Sequence, residues 1–496
     1  MYKDYITVRN ITAIAAVLSQ ATAVGLSLLF IERYHGLGLV GVWGVLTSLI
    51  SVIYLSEFGL GQSLIKFMQV ALNSDCPRRR EVMRYFIGAN VFTVGIFLGF
   101  VCVGIWLVPL IVSKWVATEF HGITLEVLPL LAFSTLFALL ARLAQSALIG
   151  FEHFLASQIW VVLSNIIFSI ACLFLIPSLG LEGAGVAHLL MSTTLAFGCI
   201  ATFICVAIIN TEKIAWKSLR QWSLEKTLKE MLPISGKIQL IQILQIFTEV
   251  GPRGALAWVG GADAAGCYEF AYRFVMFSRE ILARPLVYLS GKFSQEFHAS
   301  DIVPLTSLIE SLRGSAYLAM LMLFSVVPLA DAVGWVWLGE DPGDFAVYCQ
   351  IIVLGWGFSL FSAPGYHLGI ATGNVSPILW GLSIRLATNL AFVILALLLQ
   401  GPFFILIGMS FGIFLGQSIM LLVTLRKKEA SLCRIFDKGH FSLCVGGLVV
   451  SLAILILDAD VKAFWLPVPR LAMTSILIFC AGLAASWFAL KALRKT

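Results

Sequence analysis

The chain has 496 residues, of which 59% are hydrophobic and 12% charged, with a formal net charge of +6 and a mean hydropathy of +0.95. Soluble domains carry roughly 25% charged residues, so the composition excludes a soluble globular protein and points to an integral membrane protein. The positive excess sits in short loops between apolar runs, which leaves no reason to invoke a nucleic-acid partner.

Apolar runs of roughly 20 residues, enough to cross a ~30 Å hydrocarbon core, recur about fourteen times. They fall near 10–31, 38–62, 85–110, 124–147, 156–177, 182–209, 233–257, 265–288, 312–337, 346–370, 376–399, 402–425, 441–458 and 468–490. Cytoplasmic loops accumulate Lys and Arg. One side of this ladder holds Arg78, Arg79, Arg80, Arg84, Lys213, Lys217, Arg220, Lys226, Lys229, Arg426, Lys427, Lys428, Arg434, Lys438, Lys491, Arg494 and Lys495. The opposite loops hold only Arg33, Lys114, Lys462 and Arg470. Both termini are therefore expected in the cytoplasm, which requires an even number of spans. Ala21-Thr22-Ala23 imitates a signal-peptidase site, but the apolar run continues to Ile31, so the segment is read as span 1.

Span 1 offers only Ser19, Gln20 and Thr22 as polar groups, whereas span 2 aligns Thr47, Ser51, Tyr54 and Glu57 on one face. His188 in span 6 is isolated, as is His367 in span 10, and each is read as a satisfied interior histidine. The ten cysteines are scattered without a CxxC pair and are read as small packing residues. From Thr211 to Met231 runs the longest interior polar segment, with Trp216, Leu219 and Trp222 on one side of a helix and Lys213, Lys217 and Arg220 on another. It fits an interfacial helix as well as a basic linker.

Span 7 carries a polar stripe: Ser235, Gln239, Gln242, Gln245, Glu249 and Arg253 recur at a mean spacing of 3.6 residues, one helical turn. A face of amides ending in opposite charges cannot look at acyl chains, because each unsatisfied polar group there costs several kcal/mol. It must meet protein or water, and the stripe is expected to face spans 1, 2 and 8 across a water-filled cavity. Pro252 is expected to bend or end this span, and Pro285 to do likewise in span 8. Span 8 adds Glu269, Arg273, Glu280 and Arg284 on one face, with Arg279 beside it. Glu249 with Arg253, and Glu269 with Arg273, are i,i+4 pairs at an outer level. Glu57, Arg142, Glu280, Arg284, Arg385 and Lys237 lie in the cytoplasmic half, which carries the positive excess. Arginine forks suit a diphosphate, and glutamine amides suit hydroxyl-rich sugar. The opposing reading makes the pairs ties between helices and lets Arg142, Arg279 and Arg284 reach for headgroups.

The halves resemble each other. Gly41-Val42-Trp43 opens span 2 and Gly266-Cys267-Tyr268 opens span 8, an offset of 225; Gly150 and Gly373 differ by 223, and Lys66 and Lys292 by 226. A duplicated six-span unit is expected, its copies related by an axis along the membrane normal. No phosphate-binding loop, His-Glu-x-x-His or Ser/His/Asp set is present, and no outer loop exceeds about fifteen residues, so neither an enzyme nor a cofactor is expected.

Gly41-Val42-Trp43, then Glu57-Phe58-Gly59-Leu60-Gly61 with Lys66, then Leu148-Ile149-Gly150-Phe151-Glu152-His153-Phe154 resemble, in order and spacing, the polysaccharide biosynthesis or O-antigen flippase family. The resemblance covers most of residues 10–425. It implies the multidrug/oligosaccharidyl-lipid/polysaccharide exporter superfamily: an all-α membrane fold with two six-helix lobes around a central cavity, here followed by two further helices. Members of the flippase branch carry undecaprenyl-diphosphate-linked oligosaccharides to the outer leaflet of the bacterial inner membrane by alternating access, and cavity arginines and lysines bind the anionic substrate. Carried over by position, the resemblance implicates Glu57, Gln242, Gln245, Glu249, Arg253, Glu269, Arg273 and Arg284; Arg142 and Arg385 join them from the charge layout. Multidrug antiporters of the superfamily usually place a carboxylate inside span 1, and none occurs here between Arg9 and Glu32.

The expected organisation is an N-lobe over 1–210, a basic linker over 211–232, a C-lobe over 233–425, and a loop with spans 13 and 14 over 426–496. The expected partners are a lipid-linked oligosaccharide, membrane lipids, a proton or sodium as coupling ion, and polymerase and chain-length regulators. An ion-coupled small-molecule antiporter, a membrane glycan polymerase or ligase, and a structural scaffold are the rival readings.

Overall fold

The computed structural model describes residues 2–72, 82–115, 118–151, 153–210, 224–283, 305–338, 344–399 and 401–426, with isolated positions between 286 and 297. Spans 13 and 14, Arg284, Pro285 and the linker up to residue 223 lie outside these residues. Eleven α-helices account for nearly all that is described, and no strand is found among them. They are α1 (Tyr2–His35), α2 (Leu37–Ile53), α3 (Leu60–Leu72), α4 (Val82–Trp115), α5 (His121–Gly150), α6 (Phe154–Asn210), α7 (Leu224–Ala283), α8 (Leu305–Leu338), α9 (Phe345–Ala371), α10 (Ser376–Leu399) and α11 (Phe403–Arg426). The protein is a multi-pass, all-helical membrane protein.

Two of these helices are twice the usual length. At ~1.5 Å per residue, 57 residues of α6 run about 85 Å, far beyond one bilayer crossing. Gly180, with φ 58° and ψ −131°, breaks it into two arms. The arms fold back on each other, since Trp160 on the first donates its indole N–H to Thr202 Oγ1 on the second at 2.9 Å. The 60 residues of α7 break in the same way at Gly261, with φ 80° and ψ 178°. Pro252 was expected to bend or end span 7; the helix runs through it and ends instead at Gly261, the residue type that accepts this backbone at no steric cost. With α6 and α7 each read as two arms, and α2 and α3 as one interrupted span, the described helices correspond to spans 1 to 12.

Among the described residues, nine segments are long and apolar enough to cross a membrane by length and composition. α7 is not one of them, because Gln239, Gln242, Gln245, Glu249 and Arg253 dilute its apolar residues. The helix also begins at Leu224, nine residues ahead of the apolar run, in the segment read from sequence as linker.

The chain divides into two compact units, Met1–Gly266 and Cys267–Thr496. In the first, α6 packs on α1 and α5, and α5 on α3 and α4. Its core joins Leu60, Leu64 and Met68 of α3 to Phe86 and Ala89 of α4, Leu143 and Ala147 of α5, and Phe203 of α6. In the second unit α8 packs on α9, α10 on α11, and α9 on α11.

Gly41 and Gly266, paired by the offset of 225, lie against one another. A Cβ on Gly41 would sit 2.1 Å from the Ala262 carbonyl oxygen and 3.0 Å from the Gly266 nitrogen; one on Gly266 would sit 2.3 Å from the Leu37 carbonyl oxygen. Both obstacles are backbone atoms that cannot swing aside. Gly266→Val is expected to destabilise the protein by roughly 1–3 kcal/mol through overpacking, read as a lower thermal unfolding midpoint in detergent. Gly95→Ala, where a Cβ meets nothing within 4 Å, serves as the control and should leave the midpoint nearly unchanged.

Candidate functional site

The site in the first unit is built around a break in span 2. α2 tightens into a 3-10 turn at Tyr54–Glu57. Phe58 and Gly59 then adopt positive φ values of 53° and 67° before α3 begins at Leu60. Such a break strips backbone groups of their helical partners, and in an apolar setting each must be answered from the protein. Gly61 donates its N–H to Glu57 Oε1 at 3.1 Å. Gln239, from the polar stripe of α7, donates its amide Nε2 to the Leu55 carbonyl at 2.9 Å. One turn away, the Ser63 and Ser235 hydroxyls share a hydrogen bond of 2.7 Å.

Further along the same antiparallel pair, Arg253 Nη1 donates to Ser48 Oγ at 3.0 Å, and Ser48 Oγ donates to the Gly44 carbonyl at 2.7 Å. The stripe therefore meets span 2 at Ser235, Gln239 and Arg253 through direct hydrogen bonds, where a water-filled separation was expected. Gln242, Gln245 and Glu249 are half-buried between these levels. Gln242 Oε1 and Gln239 Oε1 are buried with no hydrogen-bond partner among the described residues, and Gln245 receives at its carbonyl the Thr248 hydroxyl at 2.7 Å. Thr47 and Ser51, aligned from sequence on the polar face of span 2, turn their hydroxyls to the carbonyls of Gly44 and Thr47 on their own helix. Ser48 occupies the meeting face instead. The signal for it is the run of small residues Gly41, Gly44 and Ser48, at steps of three and four, which lets a neighbouring helix approach.

Glu57 is 2% exposed, and Arg142 Nε of α5 approaches its Oε2 at 2.8 Å. Nearer the start of α7, Arg84 Nη2 bonds Glu230 Oε2 at 3.0 Å, and the Tyr85 hydroxyl donates to the same oxygen at 2.5 Å. Elsewhere in this unit His188 is tied to Ser134, whose Oγ lies 2.5 Å from His188 Nδ1 and 2.8 Å from Ser192 Oγ.

In the second unit the second arm of α7 carries Glu269, buried, which accepts from Arg273 Nε at 2.7 Å. Two turns on, the Arg279 guanidinium lies 4.9 Å from the centre of the Trp356 ring on α9, and Arg385 of α10, only 4% exposed, lies 5.2 Å from the same ring. Tyr272 meets Trp356 edge-on and stacks on Tyr268. Trp356 was not singled out from sequence. An aromatic residue in an apolar span is ordinary, and only the fold shows that two arginines share its π surface.

No protein-family model matches the chain, and no curated protein matches it. Solved structures do. The lipid II flippase MurJ in an inward closed conformation gives a TM-score of 0.71 at 14% identity, over 97% of this chain and 99% of that one. An inward-facing multidrug resistance MATE family transporter of the MOP superfamily gives 0.69 at 11% identity, over 85% and 99%. The Vibrio cholerae MATE transporter VcmN gives 0.65 at 15% identity, over 86% and 97%. The fold is that of the MOP superfamily transporters. At these identities the likeness is one of architecture, and the polar residues above are this chain's own.

Trp356→Leu removes the ring face that Arg279 and Arg385 share while keeping an apolar side chain, and is expected to cost roughly 1–4 kcal/mol from two cation–π contacts. Trp356→Phe should cost less, since a π face remains. Equal losses in thermal unfolding for the two variants would assign the effect to volume and not to the ring.

Proposed function

We propose that the protein is a flippase that moves a polyprenyl-diphosphate-linked oligosaccharide across the bacterial inner membrane by alternating access. The observation that carries this reading is the set of guanidinium and amide groups held inside the spans: Arg142, Arg253 and Gln242 in the first unit, Arg273, Arg279 and Arg385 in the second. Such groups are expensive in a membrane and are retained where they contact a polar load. Guanidinium forks fit a diphosphate, and glutamine amides fit sugar hydroxyls.

In this reading the residues that bind the substrate are Glu57, Arg142, Gln242, Gln245, Glu249, Arg253, Glu269, Arg273, Arg284 and Arg385. Two six-span lobes, 1–210 and 233–425, rock about the substrate; the basic segment 211–232 joins them on the cytoplasmic face, where both termini also lie. The fold shared with a lipid II flippase supports a lipid-linked load. Its MATE neighbours keep a small-molecule exporter in view, and the lack of a carboxylate between Arg9 and Glu32 in span 1 weighs against that rival.

Cells lacking the protein are expected to accumulate complete lipid-linked repeat units on the cytoplasmic leaflet. Accumulation of unpolymerised units on the outer leaflet would contradict the proposal and favour a polymerase. Arg253→Ala and Arg273→Ala should each reduce glycan export severalfold while the protein stays inserted and abundant; unchanged output in both would make these arginines structural ties.

A further inference from the structure

We propose that Glu57 and Arg142 form an exchange site at which a diphosphate and a proton bind together. The inference rests on the substrate reading above and adds how that substrate is linked to an ion. The two members of the pair are built differently. Glu57 is fixed: its turn is bounded by two residues of positive φ, its Oε1 takes the Gly61 N–H, and Gln239 holds the adjoining carbonyl of Leu55. A Cβ at position 61 would lie 2.3 Å from Glu57 Oε1 and 2.8 Å from Ser146 Oγ, so a larger residue there would displace the carboxylate from its place.

Arg142 is the exposed member. Its side chain is 46% exposed, and among the described residues Glu57 is its ionic partner. That exposure is not to acyl chains. Phe133, nine residues earlier on α5 and 61% exposed, lies about 180° around the helix. Arg142 therefore opens on the side of α5 opposite that apolar surface, next to the broken span.

An anionic ligand entering that side competes with Glu57 for one guanidinium. A bidentate phosphate contact suits Arg142 at least as well as the single Nε contact to the carboxylate. Once Arg142 turns to phosphate, Glu57 is a buried carboxylate without its counter-ion, and such a group neutralises by taking a proton. The proton comes from water and forms an O–H bond at Oε2, while Oε1 keeps the Gly61 N–H. The reverse step returns the proton to water and Arg142 to Glu57. The load thus carries one negative charge fewer than the diphosphate alone.

The elements around the turn carry other titratable groups. α2 has none, and Tyr54 lies on the turn itself. α5 supplies Arg142 at this end, its His121 and Glu126 being more than fifteen residues away. α4 supplies Arg84 and Tyr85, which hold Glu230 of α7, and beyond them Cys102 and Lys114 towards its far end. α7 brings the amide of Gln239 and also carries Lys237, as α3 carries Lys66.

Calorimetric titration of the full-length protein in nanodiscs tests the exchange, with inorganic pyrophosphate and farnesyl diphosphate as separate probes in two buffers of different ionisation enthalpy. The wild type should take up about one proton more per diphosphate bound than Glu57→Gln, which keeps the acceptor for Gly61 and the same shape. The difference between the two cancels protons that belong to the probe. Arg142→Ala should weaken binding about tenfold or more, with Arg142→Lys between it and the wild type. Binding of both probes assigns recognition to the diphosphate group itself; binding of farnesyl diphosphate alone assigns it to the lipid-linked form, and either outcome supports the site. Equal proton uptake by wild type and Glu57→Gln, with diphosphate still bound, overturns the exchange and leaves the flippase reading standing. Absence of binding by the wild type to either probe overturns the substrate reading, and the exchange with it.

Discussion

A polar atom inside a hydrocarbon slab has no water to fall back on, and that single constraint organises the first unit of this protein. Span 2 is interrupted at Tyr54–Glu57 and at the positive-φ pair Phe58 and Gly59, which releases backbone groups; span 7 carries more polar side chains than any lipid-facing helix can hold. Each answers the other. Gln239 meets the Leu55 carbonyl, Ser235 meets Ser63, and Arg253 meets Ser48. The net gain of any one such bond is modest, about 1 kcal/mol, but the cost of leaving one unmade in this setting is larger. The two irregularities are stable as a pair.

Much of this was legible beforehand, and the limits of that legibility are physical. Length and hydropathy place the helices because the bilayer demands ~20 apolar residues per crossing, and the described helices follow the expected spans 1 to 12. The 3.6-residue spacing in span 7 identifies a polar face, yet spacing carries no information about distance to the next helix. That is why Gln239 and Arg253 were expected across water and are found in contact with span 2. A hydroxyl on a helix, as at Thr47 and Ser51, can be satisfied by the carbonyl three or four residues back, so polarity alone does not mark a meeting face. Small size does, as Gly41, Gly44 and Ser48 show. Pro252 was expected to bend or end span 7, and the end falls at Gly261, whose backbone the break requires.

The intramembrane cations differ in what holds them. Arg273 leans on the buried carboxylate of Glu269, which fixes both. Arg279 and Arg385 rest on the face of Trp356, an attraction that helps to keep a guanidinium in place. Arg142 has a carboxylate on one side and open space on the other.

The claim on which everything else converges is movement of a lipid-linked oligosaccharide between leaflets. Purified protein reconstituted into liposomes with a fluorescent polyprenyl-diphosphate-linked oligosaccharide, probed with a membrane-impermeant quencher, measures it directly. Transfer between leaflets well above that of protein-free vesicles is the predicted result, and a rate indistinguishable from theirs would contradict it.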